Sequence, residues 1–255
     1  MKTPLRLLNN RSGAFSTIFN LLPDEYDTVH FPFFVNGGLE LRLCTADKNV
    51  IGHTHHWCVY EFWDCLKEDP ARLIQNIKFT MAYEHFEERF YYHMQENFQK
   101  NPDVYVRSAQ FYALNRCNAE GQIFGGKWVG LKHVNDLNYY NMKNLDLLNL
   151  NPKIHDDISP IKIIDTISSD EYIIATPPKF SYRLLPDAQA DTVINPSIDH
   201  VELKEKLTDR ERWMIVCSYH KKLCELYKDF QIKYFNRNWT ETTQDKAEEM
   251  IIVKS

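Results

Sequence analysis

Short runs rich in apolar and β-branched residues recur along the chain and predict β-strands. They fall near the N-terminus and after residue 160, over 28–35, 48–52, 161–164, 172–176 and 214–218. Two final runs, 231–235 and 250–254, are separated by a polar loop and predict an antiparallel hairpin. Because helical patterns lie between most of these strands, we expect an α/β fold with a mostly parallel sheet and a C-terminal antiparallel hairpin.

Helical patterns occupy much of the remaining sequence. They cover 11–22, 57–66, 71–99, 201–207 and 221–227. From about 101 to 151 the chain becomes rich in asparagine and aromatic residues and contains a Gly125-Gly126 turn signal. We expect residues 61–151 to form an inserted, mainly helical subdomain, and residues 1–60 and 152–255 to form the α/β core.

The composition favours a compact protein in a reducing compartment. Only 8 of the 255 residues are glycine and 44% are apolar, which excludes collagen-like and disordered chains. No run approaches the roughly 18 apolar residues that a membrane span needs, so we expect a cytoplasmic protein with no membrane partner. The six cysteines show no close pairing, and we expect them to be reduced and mostly buried.

The net charge of −5 is unevenly distributed along the chain. Between Asp103 and Lys143, five basic residues face only three acidic ones, which leaves a local positive excess in the predicted insertion. A nucleic-acid-binding protein needs only such a local positive surface. DNA therefore stays a candidate partner, although the whole chain is acidic.

Several short motifs, taken in their order along the chain, carry a resemblance to a known enzyme family. They are Leu7-Leu8-Asn9-Asn10-Arg11, Phe34-Val35-Asn36-Gly37-Gly38, Leu114-Asn115-Arg116, Asn118-x-x-Gly121 with Phe124-Gly125-Gly126-Lys127, and Ile173-Ile174-Ala175-Thr176-Pro177-Pro178-Lys179. In this order they resemble the DNA adenine methyltransferase (Dam-like) family over nearly the whole chain. The resemblance implies a Rossmann-like methyltransferase sheet and a target-recognition-like insertion.

The resemblance also implies roles for particular positions. The cofactor-binding positions of the family correspond to Arg11, Asn36, Gly37, Gly38 and Thr54. The catalytic Asp-Pro-Pro-Tyr motif corresponds to Thr176, Pro177, Pro178 and Lys179. The DNA-contacting candidates are Asn115, Arg116 and Lys127 in the insertion, with Phe180 and Tyr182 as aromatic side chains that could stack on a flipped base.

Departures from the family motifs fall on the residues that methyl transfer needs. Thr176 and Lys179 replace the aspartate that accepts a hydrogen bond from the target amine and the tyrosine that stacks on the base. Neither of the first two strands ends in an acidic residue, and Arg11 replaces the family's lysine. Because S-adenosylmethionine is cationic and depends on nearby carboxylates, these changes disfavour it as the cofactor. We expect a neutral or positive cleft that suits an anion, with the identity of any other cofactor unknown.

Some of these positions also have a purely structural interpretation. Asn115 and Arg116 either contact DNA or brace the insertion, and the prolines after Thr176 either belong to a site or only stiffen a turn. Residues 53–58 contain three histidines and a cysteine, which are ligands for zinc or copper. Because no second ligand cluster accompanies them, we predict no metal.

Three functional hypotheses follow. The first, which the sequence favours, is a transferase that modifies a flipped DNA base, including one already hypermodified, with a co-substrate other than S-adenosylmethionine. The second is a catalytically lapsed methyltransferase homologue that binds DNA or a protein partner. The third is a divergent N6-adenine DNA methyltransferase. Enzymatic activity is thus uncertain from sequence, and the resemblance implies a bacterial or phage-infected cytoplasm.

Overall fold

The computed structural model describes residues 3–6, 11–23, 25, 27–82, 86–119, 121, 126–155, 158–177 and 198–254. Its centre is a seven-stranded sheet in the described residues: β1 (Thr28–Phe31), β2 (Asn49–Thr54), β3 (Leu150–Ile154), β4 (Tyr172–Ala175), β5 (Trp213–Ser218), β6 (Gln231–Phe235) and β7 (Glu249–Val253). The strand order is β3-β2-β1-β4-β5-β7-β6. Strands β1 to β5 run parallel, and β7 runs antiparallel to both of its neighbours. The predicted mostly parallel α/β sheet with a terminal antiparallel pair is confirmed.

Helices cover both faces of this sheet. In chain order they are α1 (Phe15–Phe19), α2 (Glu40–Cys44), α3 (Trp57–Glu68), α4 (Pro70–Met81), α5 (Glu88–Asn97), α6 (Val104–Arg116), α7 (Asp136–Lys143), α8 (Pro160–Ile163), α9 (His200–Thr208) and α10 (Lys221–Leu226). Within the described ranges, none of these helices is both long and apolar enough to cross a membrane.

Two apolar clusters lie on opposite sides of the sheet. Alternate residues of one strand point to opposite faces, so Ile174 joins one cluster and its neighbour Ile173 joins the other. The first cluster includes buried side chains of α3 to α7, and the second includes those of α8, α9 and α10. Helices α3 to α7, which lie between β2 and β3 in the chain, therefore share a continuous core with the sheet. The subdomain boundaries at 61 and 151 stay a prediction.

The strand predicted over 161–164 is wrong, because this segment begins α8 and continues as a 3₁₀ turn, Ile164–Thr166. The Ser159 hydroxyl accepts a hydrogen bond from the Lys162 N–H, and Pro160 occupies the first turn of the helix. Serine at the cap and proline at the first position are both typical of helix starts. These local signals outweigh the apolar, β-branched composition that suggested a strand.

Other element boundaries differ from the prediction for local reasons. Strand β1 ends at Phe31, before Pro32, so it is shorter than the predicted 28–35. The long helix predicted over 71–99 is interrupted, because α4 ends at Met81 and α5 begins at Glu88. Asp69 caps α4 by accepting a hydrogen bond from the Arg72 N–H, with Pro70 in the first turn.

Candidate site at the carboxyl edge of the sheet

The strand order creates a switch point between β1 and β4. From this point the chain adds β2 and β3 on one side and β5 on the other. In open parallel sheets, ligands bind in the crevice beyond the carboxyl ends of the strands at such a point. The loop after β1 contains Asn36, Gly37 and Gly38, and Thr176-Pro177 follows β4. The sequence-predicted positions from these two motifs therefore share one edge of the sheet.

The loop after β1 is packed tightly against helix α3. Gly37 adopts a left-handed conformation with φ 69°, which favours glycine. A β-carbon at Gly37 would lie 2.7 Å from the Trp63 ring, so a larger residue has no space there. The indole Nε1–H of Trp63 donates a hydrogen bond to the Val35 carbonyl at 2.8 Å. Glycine at position 37 thus has a packing reason that is independent of any ligand.

Side chains of the protein itself bond the backbone groups of this loop. The Gly38 N–H donates to Oδ1 of Asn36 at 3.3 Å, and the Leu39 N–H donates to Oε2 of Glu40 at 3.0 Å. The Thr3 hydroxyl donates to the Asn36 carbonyl. Backbone N–H groups of a glycine loop at this place are the donors that a bound cofactor uses. Here two of those donors are already satisfied within the chain.

Arg11 lies at the same edge and is only 8% exposed. Its Nη1 is 3.4 Å from the Pro177 carbonyl oxygen, and its Nε is 3.5 Å from Oε2 of Glu249, the first residue of β7. The Nε–H makes no hydrogen bond at this distance, so the contact with Glu249 is a charge pair. The structure therefore brings together Arg11 and Pro177, which the sequence placed in separate cofactor and catalytic motifs.

Two carboxylates near Arg11 correct the expected charge of the site. Glu249 pairs with Arg11, and Glu40 is fully buried beside the loop. Burial raises the pKa of Glu40 to about 7, while its backbone hydrogen bonds and the nearby Arg11 charge act in the opposite direction. The expectation of a cleft without carboxylates is wrong. Sequence reasoning missed both acids because they lie on α2 and β7, outside the strand ends where the family motif places them.

Thr54, another predicted cofactor residue, is buried at the end of β2. Its hydroxyl accepts a hydrogen bond from the His56 N–H at 3.2 Å, immediately before α3 begins. This contact shapes the turn between β2 and α3. Of the remaining predicted site residues, Thr176 is half-buried. Those that lie outside the described residues are Pro178, Lys179, Phe180 and Tyr182.

Asn115 joins the end of α6 to the N-terminal segment and is only 2% exposed. Its Oδ1 accepts a hydrogen bond from the Arg6 N–H at 2.7 Å. Its Nδ2 donates to the Arg6 carbonyl at 2.9 Å and to the Gly121 carbonyl at 2.6 Å. All these partners are backbone groups of the same chain, so the contacts fit the bracing interpretation of Asn115.

Arg116 and Lys127 differ in exposure. Arg116 is 8% exposed, with its guanidinium 5.5 Å from the centre of the Tyr112 ring and Nη2 3.4 Å from the Thr3 carbonyl. Lys127 is exposed. Arg116 is therefore used within the fold, and only Lys127 of the insertion candidates has a side chain open to solvent.

A cluster of positive charge surrounds the end of α6. We define the basic cluster as Arg6, Arg116, Lys132 and His133. The pKa of His133 is lowered, first by desolvation and then by the charges of Arg6, Lys132 and Arg116. Among the described residues, no carboxylate contributes to this shift of the His133 pKa. Lys132 is exposed and His133 is partly exposed, so the cluster reaches the surface.

A chain of histidines crosses the sheet, and the sequence did not reveal it. Nδ1 of His30 lies 2.9 Å from Nε2 of His53, and Nδ1 of His53 lies 2.9 Å from Nε2 of His155. Nε2 of His30 lies 3.1 Å from Oε2 of Glu171. Finding this chain requires knowing that β1, β2 and β3 are neighbours and in which register they pair. No signal in the sequence alone provides that information.

The histidine-rich segment 53–58 is divided between separate environments. His53 belongs to the buried chain, whereas the rings of His55 and His56 pack against each other with centres 3.7 Å apart. In the part of the chain that the structure describes, no group of three or more histidine, cysteine, aspartate or glutamate side chains is arranged to hold a metal ion. All six cysteines are free and buried.

Comparison with known proteins adds no assignment. No protein-family model matches this chain, and no curated protein sequence matches it.

Proposed function

We propose that this chain is a DNA-binding protein on a methyltransferase-like scaffold that does not use S-adenosylmethionine. This is the second of the three hypotheses from the sequence. The observation that carries it is the basic cluster, where three cations act on His133 and no described carboxylate offsets them. The strand order, with its reversed β7, supports the scaffold part of the proposal.

The chemistry of the basic cluster suits a phosphate backbone. Lysine and arginine side chains that neutralise phosphates release bound counterions, which supplies most of the free energy of non-specific DNA binding. Lys132 is exposed and is placed to contact a phosphate, while the partly exposed Arg6 and the buried Arg116 add positive charge beside it. The exposed Lys127, close in sequence, extends the positive segment.

The hydrogen bonds within the loop after β1 support the proposal that the protein binds no methyl donor there. Its Gly38 and Leu39 N–H groups are bonded to the side chains of Asn36 and Glu40. A donor bound at this loop would have to displace these contacts and remove the Leu39 N–H bond from the buried Glu40 carboxyl, at a cost of about 1–3 kcal/mol for each broken bond. The base-modifying hypothesis depends on Lys179, which lies outside the described residues, and stays a prediction.

We expect Lys132→Ala to weaken binding to duplex DNA. The loss of one phosphate contact should reduce the slope of log affinity against log salt concentration by about 1. Electrophoretic shift across a salt series measures this slope. A matched control is Lys228→Ala, which removes an exposed lysine between α10 and β6 and should leave the slope unchanged. In the wild type, DNA should also raise the pKa of His133, because a phosphate would offset the surrounding cations.

The proposal is contradicted if the wild-type protein binds no duplex DNA at low salt. It is equally contradicted if Lys132→Ala and Lys228→Ala reduce affinity by the same factor, because binding would then depend on total charge rather than on the basic cluster.

A further inference from the structure

The histidine chain connects opposite edges of the parallel sheet. Glu171 immediately precedes β4 and so lies at the amino edge, with its side chain 34% exposed. His30 and His53 are buried within β1 and β2, and His155 follows β3 at the carboxyl edge. The chain therefore runs diagonally from solvent at one edge to the edge that carries the candidate site.

One arrangement of protons fits the three contacts that link Glu171, His30, His53 and His155. A carboxylate only accepts hydrogen bonds, so His30 carries its proton on Nε2, which faces Glu171. The Nδ1 of His30 is then bare and accepts from the Nε2–H of His53. By the same reasoning, the Nδ1 of His53 accepts from the Nε2–H of His155. In this arrangement each ring carries a proton on Nε2, and these N–H bonds point towards Glu171.

The surroundings keep the two inner rings neutral. Burial lowers the pKa of His30, although the Glu171 carboxylate acts against this effect, and Lys153 and Arg210 add to it. Burial lowers the pKa of His53 to about 3, with further contributions from His30, His155 and Lys153. Neutral rings at pH 7 are what a hydrogen-bonded relay requires, because each must keep one bare nitrogen. The His30 Nε2–H is not aligned with Oε2 of Glu171 in the structure, so proton transfer to the carboxylate requires these two side chains to turn towards each other.

We propose that Glu171, His30, His53 and His155 form a proton relay between the carboxyl edge of the sheet and solvent at the amino edge. A proton that enters at Nδ1 of His155 releases the Nε2 proton of that ring to His53. His53 passes its own Nε2 proton to His30, and His30 passes its Nε2 proton to the Glu171 carboxylate. One proton enters and one arrives on Glu171, each ring ends with its proton on Nδ1, and the reverse transfer resets the chain.

This inference goes beyond DNA binding, because it gives the carboxyl edge a route for exchanging protons with solvent through the sheet. The test therefore uses the protein without DNA. In D₂O, ¹⁵N NMR of the imidazoles measures how fast the Nε2–H of His30 exchanges, because this is the proton that the relay delivers to Glu171. In a relay this proton moves to the Glu171 carboxylate, exchanges there with solvent, and is replaced by a deuteron when the chain resets. Its exchange rate should therefore exceed that of the β1 and β2 backbone amides, which exchange only on local opening.

The Glu171→Gln variant separates a relay from a structural hydrogen-bond chain. Glutamine keeps an oxygen that accepts from His30 but cannot take up the proton, so exchange of the His30 Nε2–H should slow by about ten-fold. Glu225→Gln, at an exposed glutamate of α10, is the matched control and should leave the rate unchanged.

Two results would overturn the relay. One is exchange of the His30 Nε2–H at the same rate as the β1 and β2 amides, a result that the wild-type protein alone can give. The other is unchanged or faster exchange in Glu171→Gln with a native backbone spectrum, which is the behaviour of a chain with only a structural role.

Discussion

Asn115→Ala should lower the free energy of unfolding by about 3 kcal/mol. The substitution removes three hydrogen bonds to the backbone of Arg6 and Gly121 in a buried setting. It leaves one N–H and two carbonyl groups without their partner, and each unsatisfied buried group costs about 1–3 kcal/mol, reduced where water enters the space. Urea denaturation measures the change.

A matched asparagine exists on the surface. Asn138 takes part in an exposed capping box with Asn135 at the start of α7, and Asn138→Ala should cost only about 1 kcal/mol. If Asn115 braces the fold, the Asn115→Ala variant should retain the wild-type salt dependence of DNA binding under conditions in which it is folded. A variant with wild-type stability and weakened DNA binding would instead make Asn115 a DNA contact and contradict the bracing role.

Acidification from pH 7 to pH 5 should reduce the free energy of unfolding by about 2 kcal/mol. Burial lowers the pKa of His53 to about 3 and that of His200 to about 4, against the ordinary 6.5. Near pH 6 these two histidines therefore take up protons in the unfolded chain but stay neutral in the folded chain. At pH 5 this difference lowers the free energy of unfolding by about 2 kcal/mol per histidine. Glu40 acts in the opposite direction, because its pKa of about 7 means that the folded state takes up this proton at a higher pH than the unfolded state does. Between pH 7 and pH 5 this raises the free energy of unfolding by about 2 kcal/mol.

These opposing contributions can be separated with one variant. In Glu40→Gln the compensating carboxylate is absent, so the loss of stability between pH 7 and pH 5 should grow to about 4 kcal/mol. Chemical denaturation at several pH values measures both slopes. A wild-type stability that stays constant or rises as the pH falls to 5 would show that His53 and His200 are not held neutral in the folded state.

The sheet was largely predictable because most of its strands lie in the protein interior. Strands such as β5 are apolar on both faces, and a continuous apolar run is a direct signal in the sequence. Strand β3 escaped detection for the opposite reason. It lies at the edge of the sheet, alternates buried with exposed positions and contains Pro152, which an edge strand tolerates.

The candidate site was predictable only where one motif follows one strand. The loop at Gly37 and the segment at Pro177 each follow a strand, so a pattern of neighbouring residues identifies them. Glu249 reaches Arg11 from a strand more than two hundred residues further along the chain. The histidine chain depends in the same way on strand register. Contacts of this kind follow from the tertiary fold, and a single sequence carries no local pattern for them.

Calorimetric titration of S-adenosylmethionine into the folded protein tests most directly whether the carboxyl edge of β1 is closed by the chain's own side chains. Because Asn36 and Glu40 already bond the loop N–H groups, we predict no saturable heat, while the same preparation binds duplex DNA. Saturable binding with a micromolar dissociation constant would contradict the account. It would mean that a methyl donor binds at this edge although the loop N–H groups are bonded to Asn36 and Glu40.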